Sequence, residues 1–455
     1  MNRRDFLHHA GSVGGLSLAA STGLLTSLQA HAIPPANDYR ALVCVFLYGG
    51  NDGLNMVVPF DATRYAQYST VRGALALPQA DLLPIGTQYA LHPGLAPLQS
   101  LWTAGRLAPV FNVGPLAVPL LKADFVGKSK AVPENLFSHS DQQTLWQTGG
   151  PSVLSRTGWG GRVATAAGVA PAIALGSPGR FGHSPTGAPL SLPGPGDDFA
   201  PDGYFGGPNA TRRAALDAIA RQARGNKMLA GFSAVQATAL DRSASLGPVL
   251  AITPTNTPSE AMNAPFQNLA APLNTPLAKQ LYQVAKLIEQ RAALGSGRQV
   301  FIVSQGGYDN HANQLPLHAA LMADLGNSLA AFHTAMEQLG VADKVTSFTM
   351  SDFGRTFKPN NSAGTDHAWG NNHLVIGAAV KGGATYGAYP TLELGGQDDV
   401  GDKSWERQGR WIPTTSVDQY AATLAAWFGL DDATLATVFP SLANFSVKKL
   451  AFMNA

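Results

Sequence analysis

Cysteine is nearly missing from this chain: there is one, Cys44, in 455 residues. A lone cysteine excludes an internal disulfide, a cysteine-held iron–sulfur cluster and a cysteine-rich zinc site within the chain. Charge is scarce too, at 13% of residues, with a formal net charge of +2 and no basic block or stripe. A nucleic-acid partner therefore has no electrostatic footprint here. Strongly apolar runs of about 20 residues, which a membrane-spanning helix needs, are also lacking. What the chain does have is 45% hydrophobic residues, 49 glycines and 31 prolines. That composition supports a large core with little tendency to disorder, interrupted by many loops, some of them long.

The opening reads Asn2-Arg3-Arg4-Asp5-Phe6-Leu7. Two adjacent arginines, one variable residue and Phe-Leu form the core of a twin-arginine export signal. A weakly apolar stretch rich in Gly, Ala and Ser runs from Val13 to Leu28, and Ala30-His31-Ala32 puts small residues where a signal peptidase reads. Residues 1–32 are therefore expected to be a cleaved signal peptide. Residues 33–455 are expected to form one α/β body in the periplasm or medium, with no stable transmembrane anchor after cleavage. This pathway carries folded proteins, which allows a metal to be loaded before export.

Continuous apolar runs predict strands buried on both faces at Leu42–Tyr48, Leu107–Val113, Ala172–Leu175, Gln299–Ser304, Val345–Met350 and Leu374–Val380. Cys44 sits inside the first as a buried structural thiol. Helices alternate with them. Leu317, Leu321, Leu325, Leu329, Phe332, Met336 and Leu339 recur at helical spacing, and further helices are expected at about Pro276–Leu294 and after Thr414-Thr415-Ser416. The pattern predicts an α/β fold: a central, mostly parallel sheet between helix layers. Residues 165–265, rich in Pro, Gly, Ala and Ser, read as an insertion with one helix near Thr211–Leu240.

Three polar loops follow three of these strands, and each holds an aspartate: Asp52, Asp309 and Asp352. The carboxyl edge of a parallel sheet is where ligands bind. Carboxylates gathered there repel and raise one another's pKa unless a cation neutralises them. His311 stands two residues past Asp309, and His367 lies in a glycine-flanked polar loop. Carboxylate with imidazole suits zinc, manganese or iron better than calcium. Each Asp alone could equally cap a helix. Ser138, in Phe137-Ser138-His139-Ser140-Asp141, is a candidate nucleophile with a metal or His139 to activate it, or else an N-cap. Arg355, just past Asp352, is a candidate anion holder.

The quoted segments together resemble an exported bacterial family called domain of unknown function 1501. They are the twin-arginine start, Leu47–Asn55, His92–Leu95, Gly158–Arg162, Gly307–His311, Ser351–Thr356, Thr365–Gly370 and Pro413–Tyr420. That family is similar to a remote branch of the alkaline phosphatase and sulfatase superfamily. The resemblance implies an alkaline phosphatase-like fold with metals at the strands' carboxyl edge. It implies Ser138 as nucleophile, and Asp52, Asp309, His311, Asp352 and His367 as metal ligands. The expected activity is metal-dependent hydrolysis or transfer of a phosphate or sulfate ester or a related anionic group. The alternative is a non-catalytic binding or scaffold protein. Two departures stand out. Phe353 replaces the histidine of the superfamily's Asp-His pair, which removes a ligand from a second metal. Ser138 also lacks the sequence setting of a formylglycine sulfatase.

Overall fold

The computed structural model describes residues 39–195, 197, 210–222, 225–253, 259–268 and 273–454. The expected signal peptide lies outside the described residues.

Eleven strands are described. They are β1 (Ala41–Leu47), β2 (Val57–Pro59), β3 (Leu83–Pro84), β4 (Tyr89–Leu91), β5 (Leu107–Gly114), β6 (Ile173–Ala174), β7 (Leu190–Ser191), β8 (Gln299–Gln305), β9 (Val345–Ser351), β10 (Asn371–Ile376) and β11 (Thr415–Ser416). Eight form one sheet in the order β11-β5-β10-β9-β1-β8-β6-β7, and β2, β4 and β3 form a small second sheet. In the large sheet β1 is central and parallel to both β8 and β9. Only β10 runs against its neighbours β5 and β9. The sheet is thus mostly parallel, as the apolar runs predict.

Every residue of β1 is buried. Because side chains alternate across a strand, Ala41, Val43, Val45 and Leu47 enter one core while Leu42, Cys44 and Phe46 enter another. Helices Pro276–Glu289 and Gln314–Gln338 cover the first face, and Trp159–Ala166 and Val417–Phe428 the second. A strand sandwiched this way gains from both faces, since burying one Val, Leu or Phe side chain is worth about 1.5–3 kcal/mol.

Two expectations shift. The sixth strand starts at Asn371, three residues before the apolar run, and stops before Gly377. Its first residues are polar because side-chain hydrogen bonds hold them: Asn371 Nδ2 donates to the carbonyls of Asn51 and Phe353. The single helix expected near 211–240 is two, Ala210–Ala220 and Lys227–Leu250. Asn226 starts the second by accepting from the amides of Met228 and Leu229, the ordinary work of an N-cap. Within the 165–265 stretch, β6 and β7 extend the large sheet beyond β8.

The Val417–Phe428 helix carries a buried acid in its first turn. Asp418 accepts from the Gly150 amide at 3.0 Å. Burial pushes its carboxyl up from 3.8 to about 6, against the Gly150 hydrogen bond and the Arg162 charge. The folded state therefore keeps this proton to higher pH than the unfolded chain. The stability it contributes is present below about pH 4 and is lost as pH rises through about 6, on the order of 3 kcal/mol. Asp418→Asn should flatten that part of the pH–stability curve, read by guanidinium unfolding of chelated protein. An unchanged slope between about pH 4 and 7 would count against it.

Candidate metal centre

Three neighbouring strand ends build the site. After β1 the chain turns through Gly49 and Gly50, at φ +113° and +81°. A β-carbon on Gly49 would lie 2.5 Å from the Asp309 amide, and one on Gly50 would enter the Phe353 ring. Only glycine allows this backbone to pass so close to the loops after β8 and β9. Because β10 is antiparallel, its amino end reaches the same edge, so His367 arrives there as well. The 366–369 segment is stitched to 354–356 by backbone hydrogen bonds from Gly354 to Trp369, Ala368 to Gly354 and Thr356 to Asp366. His139, the first residue of the His139–Thr148 helix, comes in from the other side.

Asp309 Oδ1 is the centre of the cluster. His311 Nε2 is 2.9 Å from it, and His139 Nε2 and His367 Nε2 are each 3.4 Å away. His311 Nε2 and His367 Nε2 lie 3.0 Å apart. The ligand atoms of His139, Asp309 and His367 are mutually within 4.8 Å, a spacing that fits one metal ion. Each imidazole is held from behind. His139 Nδ1 donates to Asp352 Oδ2 at 2.7 Å, His367 Nδ1 to the Phe137 carbonyl at 2.7 Å, and His311 Nδ1 to Asp366 Oδ1 at 3.0 Å. All three acceptors lack a proton to give, so Nδ1 carries the hydrogen and Nε2 presents a lone pair. The Nε2 atoms of His139 and His367 then face Asp309 Oδ1 as one set, with His311 Nε2 beside Asp309 and His367. His139 Nε2 is buried without a hydrogen-bond partner.

The charges agree. Burial and the nearby Arg355 charge lower the His367 pKa despite its bond to Phe137, which disfavours a proton there. His139 moves up, chiefly because of its hydrogen bond to Asp352, against burial. Burial works against the Asp309 carboxylate, yet Arg355, His311 and His139 together hold it below the usual range. The Phe137 carbonyl is aimed by a backbone at φ +77°. A bulky residue there stores about 1–3 kcal/mol of strain, a cost typical of functional sites.

The structure thus brings together Asp309, His311 and His367 from the residues expected on sequence. It places Asp352 one step back, fully buried, where it accepts from His139, from Gln143 Nε2 at 2.8 Å and from the Gly49 amide at 3.2 Å. The expectation that three aspartates meet is corrected by Asp52. Arg72 grips it with two bonds of 2.7 Å, Gln314 Nε2 adds a third at 2.5 Å, and the amides of Leu54 and Asn55 complete the set. Burial works against that carboxylate, but Arg72 and His318 hold its pKa low. Its charge is balanced by a guanidinium, not left for a cation at the cluster. Arg355 is likewise committed: it donates to the carbonyls of Gly49, Gly50, Tyr308 and Thr365 and to Asp309 Oδ1. It ties the loops together and does not present an open fork to an anion. Ser138 caps nothing with its hydroxyl, which meets Ser140 Oγ at 3.3 Å; among the described residues it makes no hydrogen bond to Asp52 or Asp352.

Sequence reading passed over His139 as a ligand because it sits at a helix start, far from the strand-end aspartates. The signal available was its neighbour Ser138, already singled out. Asp366, beside His367, was equally legible as a partner for an imidazole. Phe353 lies against both His139 and His367, with ring centroids 4.9 and 4.6 Å away. An aromatic thus packs one side of the cluster.

Fold and cluster together define an α/β protein with a histidine–carboxylate centre at the carboxyl edge of its sheet. The chain belongs to the family described as "Protein of unknown function (DUF1501)", whose profile matches residues 39–437. No curated protein matches the sequence. Among solved structures, it is similar to the PsFucS1 sulfatase from Pseudoalteromonas sp., with 9% identity, TM-score 0.36, and 91% of this chain and 72% of that one covered. It is also similar to Ps i-CgsB in complex with k-i-k-neocarrahexaose, with 12% identity, TM-score 0.35, and 87% and 73% covered. Similarity at this level leaves the chemistry to be read from the site's own geometry.

Proposed function

We propose that the protein is an exported, metal-dependent hydrolase or transferase acting on a phosphate or sulfate ester or a related anionic group, built around one ion. The observation that carries this reading is the ring of three Nε2 lone pairs around Asp309 Oδ1, each imidazole fixed through Nδ1. His139, Asp309, His311 and His367 would hold the ion, with Asp352, Asp366 and the Phe137 carbonyl orienting the histidines. Mixed imidazole and carboxylate ligands favour zinc, manganese or iron. A divalent ion bound there would supply Lewis acidity toward an anionic ester oxygen. The rest is this chain's own work: Asp352 keeps the His139 lone pair inward, and Arg355 fixes Asp309. Ser138, turned toward Ser140, is no longer needed as the attacking group, so attack by water is the simpler reaction class.

A second reading, a binding or scaffold protein, is favoured by one observation: both Arg355 and Asp52 are spent on internal contacts. The exported protein, loaded with zinc, manganese or iron, should hydrolyse members of a panel of aryl phosphate and aryl sulfate esters, and chelation or His139→Ala should abolish turnover. One bound equivalent of metal with no turnover of any ester would hand the case to the binding reading. Changing Arg3 and Arg4 to Lys in the same strain should leave unprocessed precursor inside the cell. Normal export of that variant would remove the twin-arginine part of the proposal.

A further inference from the structure

Twelve large apolar side chains are exposed among the described residues, and six of them lie between residues 216 and 235: Leu216, Ile219, Met228, Leu229, Phe232 and Val235. They belong to two consecutive helices, Ala210–Ala220 and Lys227–Leu250, which pack on each other. In the first turns of the second helix the usual arrangement is inverted. Met228, Leu229, Phe232 and Val235 share one face at helical spacing and face outward, while Gly231 and Ser233 are buried. Exposed apolar side chains gathered on one helical hairpin in this way mark a contact with something else.

The charge around it says what. Residues 210–241 contain Arg212, Arg213, Arg221, Arg224 and Lys227 against two acids, Asp217 and Asp241, whereas the whole chain carries only +2. Arg212 and Lys227 are exposed, and Arg221 pairs with Asp217 and Asp241. A second copy of this chain docked here by symmetry would set one basic rim against another, and like charges across an interface cost affinity. An acidic surface would match. We propose that this helical hairpin docks the protein onto an anionic lipid surface, with Phe232 and its neighbours entering the headgroup boundary and the exposed Arg212 and Lys227 facing lipid phosphates. No helix of the described residues is long and apolar enough to cross a membrane. The contact is therefore peripheral, the mode in which apolar insertion and electrostatic attraction act together.

The test uses the exported, processed protein and sedimentation with vesicles of phosphatidylglycerol mixed into phosphatidylcholine, compared with phosphatidylcholine alone. Binding to the anionic vesicles should be at least roughly tenfold stronger, and should fall steeply toward about 1 M salt, where charges are screened within ~3 Å. Phe232→Glu should lose it by roughly tenfold or more. Leu154→Glu, at an exposed apolar site outside the patch, should keep it and shows that an added charge alone is not the cause. Equal binding to both vesicle types, or none, would overturn the proposal. So would a doubled mass in solution that Phe232→Glu abolishes, which would assign the face to a second copy.

Discussion

Arg72→Met should cost about 3–5 kcal/mol of unfolding free energy, the largest loss expected from a single charged-to-apolar change away from the cluster. The reason is that Asp52 and Arg72 are both buried and joined by two 2.7 Å bonds, with exposures of 2% and 0%. Removing the guanidinium leaves a charged carboxylate out of water, with only Gln314 and two amides to hold it. Replacing both partners is different. Arg72→Met with Asp52→Leu removes both desolvation penalties and should recover a substantial part of the loss, a coupling that a double-mutant cycle isolates. Guanidinium unfolding of the single and double variants is the measurement. If Arg72→Met falls within about 1 kcal/mol of the parent, the pair is not the buried strut described above.

The second large effect concerns the proposed metal. A chelator should lower the melting temperature, because an ion that binds only the folded state adds about 2.7 kcal/mol at a hundredfold excess over its dissociation constant. Asp309→Ala and His139→Ala should each remove the ion, as seen by elemental analysis, and abolish the chelator response. Asp352→Asn should weaken metal affinity by about 10–100-fold without abolishing it, because its role is to orient His139. Asp52→Asn should retain one equivalent of metal, because its carboxylate faces Arg72. The expectation from sequence that Asp52 is a metal ligand implies the opposite. Loss of the ion in Asp52→Asn, with the fold intact by circular dichroism, would restore that assignment and refute the single-ion centre.

Much of the framework was determined by the sequence itself. Val43-Cys44-Val45-Phe46-Leu47 reads as a strand buried on both faces, since a half-exposed strand alternates apolar with polar residues. The aspartates and His311 just beyond β1, β8 and β9 were readable as a carboxyl-edge site because strand ends and polar loops are both local features. The spacing of Leu325, Leu329, Phe332 and Met336 marked the long helix for the same reason.

Which way each side chain is spent is not local, and only the tertiary structure decided it. Arg72 lies 20 residues from Asp52, and nothing in either segment says that they meet. Helix packing brings them together, and with them the neutralisation of one expected ligand. Asp352 and Asp309 follow equivalent strand ends, yet one faces into the protein against His139 and the other faces the cluster, because the turns after β9 and β8 differ. His139 joins them from 213 residues before Asp352, carried by a helix whose first residue happens to reach the sheet edge. The antiparallel β10 delivers His367 to that edge by its amino end. Local periodicity sets what each segment becomes; the pairing of charges and the aim of each lone pair are set by contacts between segments distant in sequence.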